Sequence, residues 1–271
     1  MKIDAHQHFW LYNKRDYSWI NDRMTTLQRN YLPADLQPEL TETGFGGSIV
    51  VQARQTVEET RWLLQLAGRY DFIRGVVGWV DLCSESELKR QLDEFSKSEK
   101  LAGVRHVIHD EPEDNFMLRD DFLKGISLLR EYNLTYDLLL FPKHLPVARE
   151  VVSMFPEQRF VLDHIAKPLI RDQVFNPWEE DITRLAEEAN VWCKLSGMVT
   201  EADWKNQKPA DFRPYLDIVF KAFLPTSSGG NTPFSVNIPF RIISAVPVAV
   251  KPVALAIEES LSFGSNSSYN S

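Results

Sequence analysis

Short apolar runs alternate with longer amphipathic segments along the chain, and this alternation predicts its elements. The run 48–53, Ser-Ile-Val-Val-Gln-Ala, is apolar on both faces, as is typical of a parallel strand buried on two sides. The segment 56–70 carries Trp62, Leu63 and Leu66 at helical spacing, so it predicts a helix. A strand followed by a helix in this way predicts a right-handed βαβ unit.

The same unit recurs along most of the chain. A first strand lies within residues 1–10, and after 48–53 we predict strands at 73–81, 101–107, 134–140, 159–164 and 191–197. A helix begins near Pro33, and further helices are predicted at 56–70, 86–97, 120–132, 144–155 and 177–189. Seven strands alternating with helices predict an α/β fold with a parallel sheet, closed as a (β/α)8 TIM barrel.

The polar residues at the predicted strand ends form an informative set, because barrel chemistry lies at the C-terminal ends of the strands. His6 and His8 share one face of the first strand, and imidazole is the commonest transition-metal ligand. We expect His164, after the sixth strand, to be functional, whereas His109 and His144 are expected to be ordinary loop residues. The other strand-end residues are Gln52, Arg54, Asp81, Arg105, His106, Lys143, Lys167 and Ser196.

An aromatic segment, 9–31, follows the first strand and is predicted to be a long loop. It contains Trp10, Tyr12, Tyr17, Trp19 and Tyr31. Such a loop can form the wall of a pocket and stack on a ring-shaped substrate, or its aromatic residues can simply pin it to the barrel. The sequence leaves both interpretations open.

Composition narrows the classes of partner. The formal net charge is -8, which argues against a nucleic-acid surface, and no apolar stretch is long enough to cross a bilayer. Cys83 and Cys193 lack any CxxC partner, so we expect reduced, buried thiols. The first residues do not resemble a signal peptide, and we expect a cytoplasmic protein that acts on a small molecule. Its oligomeric state is not predicted.

Several sequence blocks resemble one known family. DAHQHFW, VQARQTVEETRWLL, GVVGWVDL, GVRHVIHDEP, FVLDHIAKP and VWCKLSGM stand in the order seen in the amidohydrolase superfamily, in the branch that contains sugar lactonases such as L-fuconolactonase and L-rhamnonolactonase. The match runs from Lys2 to about Phe223. It implies a distorted barrel of the metal-dependent-hydrolase type, in which water attacks a lactone carbonyl.

The resemblance also implies roles for individual residues. His6, His8 and His164 match the catalytic histidines, which bind a divalent metal, zinc or manganese, or polarise the carbonyl in members that work without one. Arg54, Arg105, His106 and Lys167 are the expected substrate-binding residues, with hydroxyl or carboxylate groups of the substrate as their partners.

The chain departs from the family after Phe223. The family's eighth strand carries a GSDWP block whose Asp is the general base, and this block is absent. Ser244-Ala245-Val246 is what codons for Phe-Gly-Ser-Asp encode when read one nucleotide late. We therefore expect a barrel domain at 1–223 that lacks strand eight, and an aberrant, low-charge, disordered tail at 224–271 produced by a frameshift; a divergent C-terminus is the competing interpretation.

The expected function is hydrolysis of a sugar lactone in carbohydrate metabolism, impaired in this version because the Asp is absent. Loss of a general base costs on the order of 10² to 10⁴ in rate. Two other classes stay open: another metal-dependent amidohydrolase or decarboxylase, and a non-catalytic sugar-binding barrel. Which lactone is used is not predicted.

Overall fold

Seven strands alternate with seven α-helices in the computed structural model, which describes residues 2–223. The strands are β1 Ile3–Gln7, β2 Gly47–Val51, β3 Ile73–Gly78, β4 Leu101–Val107, β5 Thr135–Leu139, β6 Phe160–Leu162 and β7 Val191–Cys193. The helices are α1 Pro33–Glu42, α2 Val57–Arg69, α3 Glu85–Phe95, α4 Asp120–Leu129, α5 Leu145–Met154, α6 Trp178–Leu185 and α7 Pro209–Phe223. Helix α7 is the one that the sequence analysis did not predict.

The strands form one parallel sheet in chain order, β1 to β7. In a flat sheet, five spacings of about 4.8 Å would separate β1 from β6 by roughly 24 Å. Instead, the ring of His6 in β1 lies 4.4 Å from the ring of His164, which follows β6. The sheet is therefore strongly curled, and the predicted α/β barrel class is confirmed.

The helices cover the outside of the curled sheet. Helix α2 begins after Thr56, whose hydroxyl accepts the backbone N–H of Glu59. Its apolar stripe, which includes Leu63, packs against Val50 and Ile73 on the outer face of the sheet. The inner face is thereby left for the polar residues of the site.

Several predicted strands are shorter than the sequence pattern indicated, β3 ending at Gly78 among them, and two of them end beside the site. Strand β6 ends at Leu162 rather than His164, and β7 ends at Cys193 rather than Gly197. In both places the chain leaves the sheet ladder, because the next residues turn and their side chains bond within the site. Helix α4 likewise ends at Leu129, followed by a 3-10 turn at Arg130–Tyr132.

The aromatic loop 9–31 is folded around a small core of its own. Trp10 and Tyr31 exchange two backbone hydrogen bonds, and both rings are buried with Tyr17. The Trp10 indole also donates to the carbonyl of Arg29 over 2.8 Å. These rings are unavailable for stacking on a substrate, whereas Trp19 is partly exposed.

The remaining expectations concern the cysteines, membrane-spanning helices and the C-terminal part of the chain. Cys83 and Cys193 are free thiols, Cys193 buried and Cys83 partly buried. None of the helices within residues 2–223 combines the length and the apolar character needed to span a membrane. The expectations for strand eight and for the tail at 224–271 fall outside the described residues.

Candidate active site

His6 and His8 converge where β1 ends. The side chain of His6 points into the barrel and is 1% exposed, and His8 follows one residue after the strand. Their Nε2 atoms lie 3.1 Å apart. Nδ1 of His8 is 2.8 Å from the carbonyl oxygen of Val51. Because a carbonyl only accepts, His8 carries its proton on Nδ1, and its Nε2 presents a lone pair to the site.

His164 completes the group from the far side of the barrel. It follows β6 and stands at the start of a turn whose residues, His164 to Lys167, all have positive φ. Its Nδ1 is 2.8 Å from the hydroxyl of Ser196, just after β7. Nε2 is therefore the ring nitrogen that His164 has free for a ligand.

A buried network of four charges lies beneath the histidines. Asp163 bonds Arg105 through Oδ2 over 2.8 Å and approaches Lys194 through Oδ1 over 2.9 Å. Lys194 also bonds Asp137 in β5. Two carboxylates and two cations balance one another, as buried charges must. The third contact of Asp163, 3.5 Å from Nδ1 of His6, links the network to the histidines.

The network sets the ionisation of Asp163 and Lys194. Burial opposes the charged form of Asp163, but Lys194, His6 and Arg105 outweigh it and hold the pKa of this carboxyl well below its ordinary value. Burial likewise opposes the charge on Lys194, yet Asp137 and Asp163 raise its pKa. Asp163 is consequently an ionised anchor with low affinity for a proton.

The three histidines are neutral at neutral pH. Burial is the main cause: it lowers the pKa of His8 and of His164 to about 3 each, and that of His6 well below its ordinary value. Nearby cations, Arg105 for His8 and His164, act in the same direction. Neutral imidazole is the form that binds a metal.

The donor set fits a divalent transition metal. His6, Asp163 and His164 offer ligand atoms that all lie within 4.8 Å of one another, and His8 approaches through His6. Nδ1 of His6, buried, has no hydrogen-bond partner. His8 and His164 each use their second ring nitrogen on a protein oxygen, which is how metal-binding histidines are usually oriented.

Of the four residues expected to bind substrate, Arg105 alone enters the histidine cluster. Its Nη1 lies 3.4 Å from Nε2 of His6, and its Nη2 donates to the carbonyl of Gln52. The other three lie around the cluster, His106 in β4 and the other two in loops, and each has a partner of its own. Arg54 pairs with Asp16, His106 with Glu111, and Lys167 with Glu201.

Six histidines gather at the C-terminal ends of the strands, as the sequence predicted. His144 serves its own turn, accepting the backbone N–H of Phe141 through Nδ1. His109 stacks on the Phe141 ring at 4.6 Å. Both contacts agree with ordinary loop roles.

Lys194 and Asp137 were missed at the sequence level. Each is one charged residue in an apolar strand segment, Thr-Tyr-Asp-Leu-Leu and Trp-Cys-Lys-Leu. A charged residue in a run predicted to be buried on both faces signals a buried ion pair, and that signal was present in the sequence.

The sequence and the fold both match proteins of one family. The family profile described as Amidohydrolase matches residues 3–226. The chain belongs to this family. It is 38% identical over 235 residues to an L-fucono-1,5-lactonase from Burkholderia multivorans, with 83% of the chain and 79% of the relative covered. An L-fucono-1,5-lactonase from Burkholderia ambifaria is 36% identical over 201 residues, covering 74% and 69%.

A solved amidohydrolase structure has the same architecture. The crystal structure of a Burkholderia multivorans amidohydrolase with bound zinc superposes with a TM-score of 0.79 at 38% identity. The superposition covers 82% of this chain and 80% of that one. The barrel of the amidohydrolase family therefore extends over the described residues.

Proposed function

We propose that the chain is a hydrolase that opens the ring of an L-fucono-1,5-lactone-type sugar lactone by water attack on the carbonyl. The observation that carries the proposal is its identity of 36–38%, over most of its length, to two relatives named L-fucono-1,5-lactonase. The buried group of neutral histidines supports it. A cytoplasmic location, expected from the sequence, belongs to the same proposal.

His6, His8 and His164 form the centre of the proposed site. Their neutral rings and the 3.1 Å approach of two Nε2 atoms suit the binding of a divalent ion. Such an ion, zinc in the first instance, would polarise the lactone carbonyl and acidify water when bound there. The oxygen partners of His8 and His164 keep the free nitrogen of each ring turned to the site.

Arg105 is the residue placed to stabilise charge at the carbonyl. Its guanidinium is buried and adjoins His6, and its Nε has no hydrogen-bond partner. A buried, preoriented cation stabilises a developing oxyanion more than an exposed one does. Arg54, His106 and Lys167, which lie around this centre, are the remaining proposed substrate contacts.

Asp163 is the carboxylate against the ring of His6, and it is poorly suited to act as the general base. Lys194 and Arg105 hold its pKa well below the ordinary value. A carboxylate of that kind is a poor proton acceptor. The proposal therefore includes impaired turnover by the sequence as it stands.

The test is a proton-release assay on L-fucono-1,5-lactone and L-rhamnono-lactone. It compares the 271-residue chain with a version whose residues after Phe223 are translated in the alternative frame. We expect robust hydrolysis from the second version, and loss of that activity in its His6→Ala, His8→Ala and His164→Ala variants. Zinc content, and activity after chelation, test the metal. Sugar binding without turnover by both versions would contradict the proposed function.

A further inference from the structure

The turn that carries His164 is a left-handed helical turn made without glycine. His164, Ile165, Ala166 and Lys167 have φ values of 54°, 48°, 58° and 50°. Residues with a side chain visit this region singly and at a cost, because the Cβ crowds the following carbonyl. Four in a row persist only where the surrounding structure holds them.

A contact from helix α6, a bond within the turn and burial hold it in place. Ile165 and Ala166 are fully buried, and the indole of Trp178 in α6 donates to the carbonyl of Ile165 over 2.7 Å. The backbone N–H of Lys167 closes the turn on the carbonyl of His164 over 2.8 Å. The backbone at His164 is thereby fixed, so the base of its side chain cannot shift freely.

Gly197 lies directly against the base of that side chain. A Cβ at position 197 would lie 2.6 Å from Cγ and from Nδ1 of His164, and 2.7 Å from its Cβ. Real Cβ contacts are not that short. The atoms are at the root of the imidazole, so they cannot swing away as the end of a flexible side chain would. A side chain at 197 would therefore displace the whole His164 side chain, or the backbone of one of the two residues.

We propose that Gly197 and Ser196 are positioning residues for His164, a proposal that rests on the proposed function. Gly197 supplies the gap into which the ring packs, and the Ser196 hydroxyl holds Nδ1 over 2.8 Å. Together they leave one orientation of the ring, with its Nε2 presented to the site. The left-handed turn holds the backbone of His164 in place, so these two contacts determine the orientation of its ring.

Two different effects disfavour a side chain at position 197, and Gly44 shows only one of them. Its φ is +68°, which alone disfavours a side chain. Gly44 has almost the same φ, +71°, but a Cβ there would meet nothing within 4 Å. Gly44→Ala therefore reproduces the backbone penalty of Gly197→Ala without any contact to His164.

The experiment compares Gly197→Ala, Ser196→Ala and the control Gly44→Ala in the full chain. Ring 15N and 1H signals of His164, assigned by their loss in His164→Gln, report the state of the imidazole. The value of kcat/KM is measured in whichever version of the chain hydrolyses lactone. We expect all three variants to fold, with Gly197→Ala and Gly44→Ala melting several degrees lower.

The two site variants should differ from the control in what they do to His164. Gly197→Ala should shift its ring signals and lower kcat/KM by about 10²-fold, the usual effect of a misplacement near 1 Å. Ser196→Ala should shift the same signals and cost about 10- to 100-fold. Gly44→Ala should leave both unchanged.

Unchanged His164 signals in Ser196→Ala, or equal signals in Gly197→Ala and Gly44→Ala, would overturn the proposal. If Gly197→Ala fails to fold, Ser196→Ala decides. If no version hydrolyses a lactone while the ring signals respond as expected, the proposed function fails and the positioning role stands.

Discussion

Lys194 shows how much of the site depends on one buried charge. Its ammonium lies between Asp137 and Asp163, and all three side chains are almost fully buried. Removing one partner of a buried pair leaves an uncompensated charge, which costs about 3–5 kcal/mol. We expect Lys194→Met to lower the free energy of unfolding by that amount in a urea titration.

A second substitution tests whether charge is the cause. In the double variant Lys194→Met/Asp137→Asn one of the two stranded carboxylates is gone, so part of the lost stability should return. Lys14→Met, which breaks an exposed pair with Asp22, is the control and should change little. Additive losses in the double variant would show that packing, rather than charge balance, dominates.

Glu59 makes a pH-dependent contribution to stability. Its carboxylate is 4% exposed and accepts the backbone N–H groups of Ala53 and Arg54. Burial, only partly offset by these bonds, raises its pKa to about 7 from an ordinary 4.5. The folded state then binds more protons than the unfolded state, so stability falls as pH rises through this window, by about 3 kcal/mol.

The isosteric variant Glu59→Gln should lose this pH dependence. An amide oxygen can accept the same two N–H groups, and the amide nitrogen can donate to the hydroxyl of Tyr17. Relative to the wild type, Glu59→Gln should gain stability between about pH 4.5 and 7. Urea unfolding across that range measures it, with the exposed neighbour variant Glu58→Gln as control. Parallel curves for wild type and Glu59→Gln would refute the raised pKa.

At the residue scale, the sequence led to the three histidines that the structure brings together, and it missed the buried charges beneath them. His6, His8 and His164 could be named because strand period and strand ends are readable from residue order. The pairing of Lys194 with Asp163 depends on the register of β6 and β7, which brings the residues after Leu162 and Cys193 beside each other. No local pattern encodes that approach, although the two isolated charges in apolar runs marked where to look.

At the scale of elements, the aromatic loop 9–31 is a small unit built around Trp10. Its indole packs 4.8 Å from the Tyr31 ring and donates to the Arg29 carbonyl. Trp10→Ala should destabilise the core of the loop by about 3 kcal/mol, since truncation of a large buried aromatic costs about 3–5 kcal/mol. The strand pairing of β1 with β2 is separate from these contacts and should survive.

Limited proteolysis measures the effect on the loop. Trypsin should cut at Lys14, Arg15, Arg23 or Arg29 about 10²-fold faster in Trp10→Ala, the factor that corresponds to about 3 kcal/mol of local opening. Trp19→Ala, at a partly exposed position of the same loop, is the matched control. Equal cleavage rates in the two variants would mean that the loop is held by other contacts.

The elements themselves were readable where periodicity extended over enough residues. Helix α2 and strand β4 follow their patterns almost to the residue, because burial of one stripe or of both faces dominates there. Strands β6 and β7 are three residues each, and the left-handed turn after β6 contains no glycine. Residue type does not signal that turn, because Trp178 and buried packing hold it.

At the scale of the whole molecule, the described sheet has two edge strands, β1 and β7, and site residues stand at both. Strand β1 pairs with β2 alone and β7 with β6 alone among residues 2–223. His6 and His8 stand at one of these edges, and the Ser196 that holds His164 follows the other. A strand between them would cover both edges, which is the position of the family's eighth strand.

The residues after Phe223, which lie outside the described part of the chain, can be replaced by their translation in the alternative reading frame. A version carrying the alternative reading frame from there should restore a segment of the GSDWP type, with its Asp facing the histidines. We expect it to be more soluble than the 271-residue chain, because paired strand edges no longer promote association, and faster on lactones by about 10² to 10⁴. Replacing the restored Asp with Asn should abolish the gain in rate while leaving the gain in solubility. A 271-residue chain as soluble and active as the restored one would show that residues 224–271 are a working alternative to the family's segment.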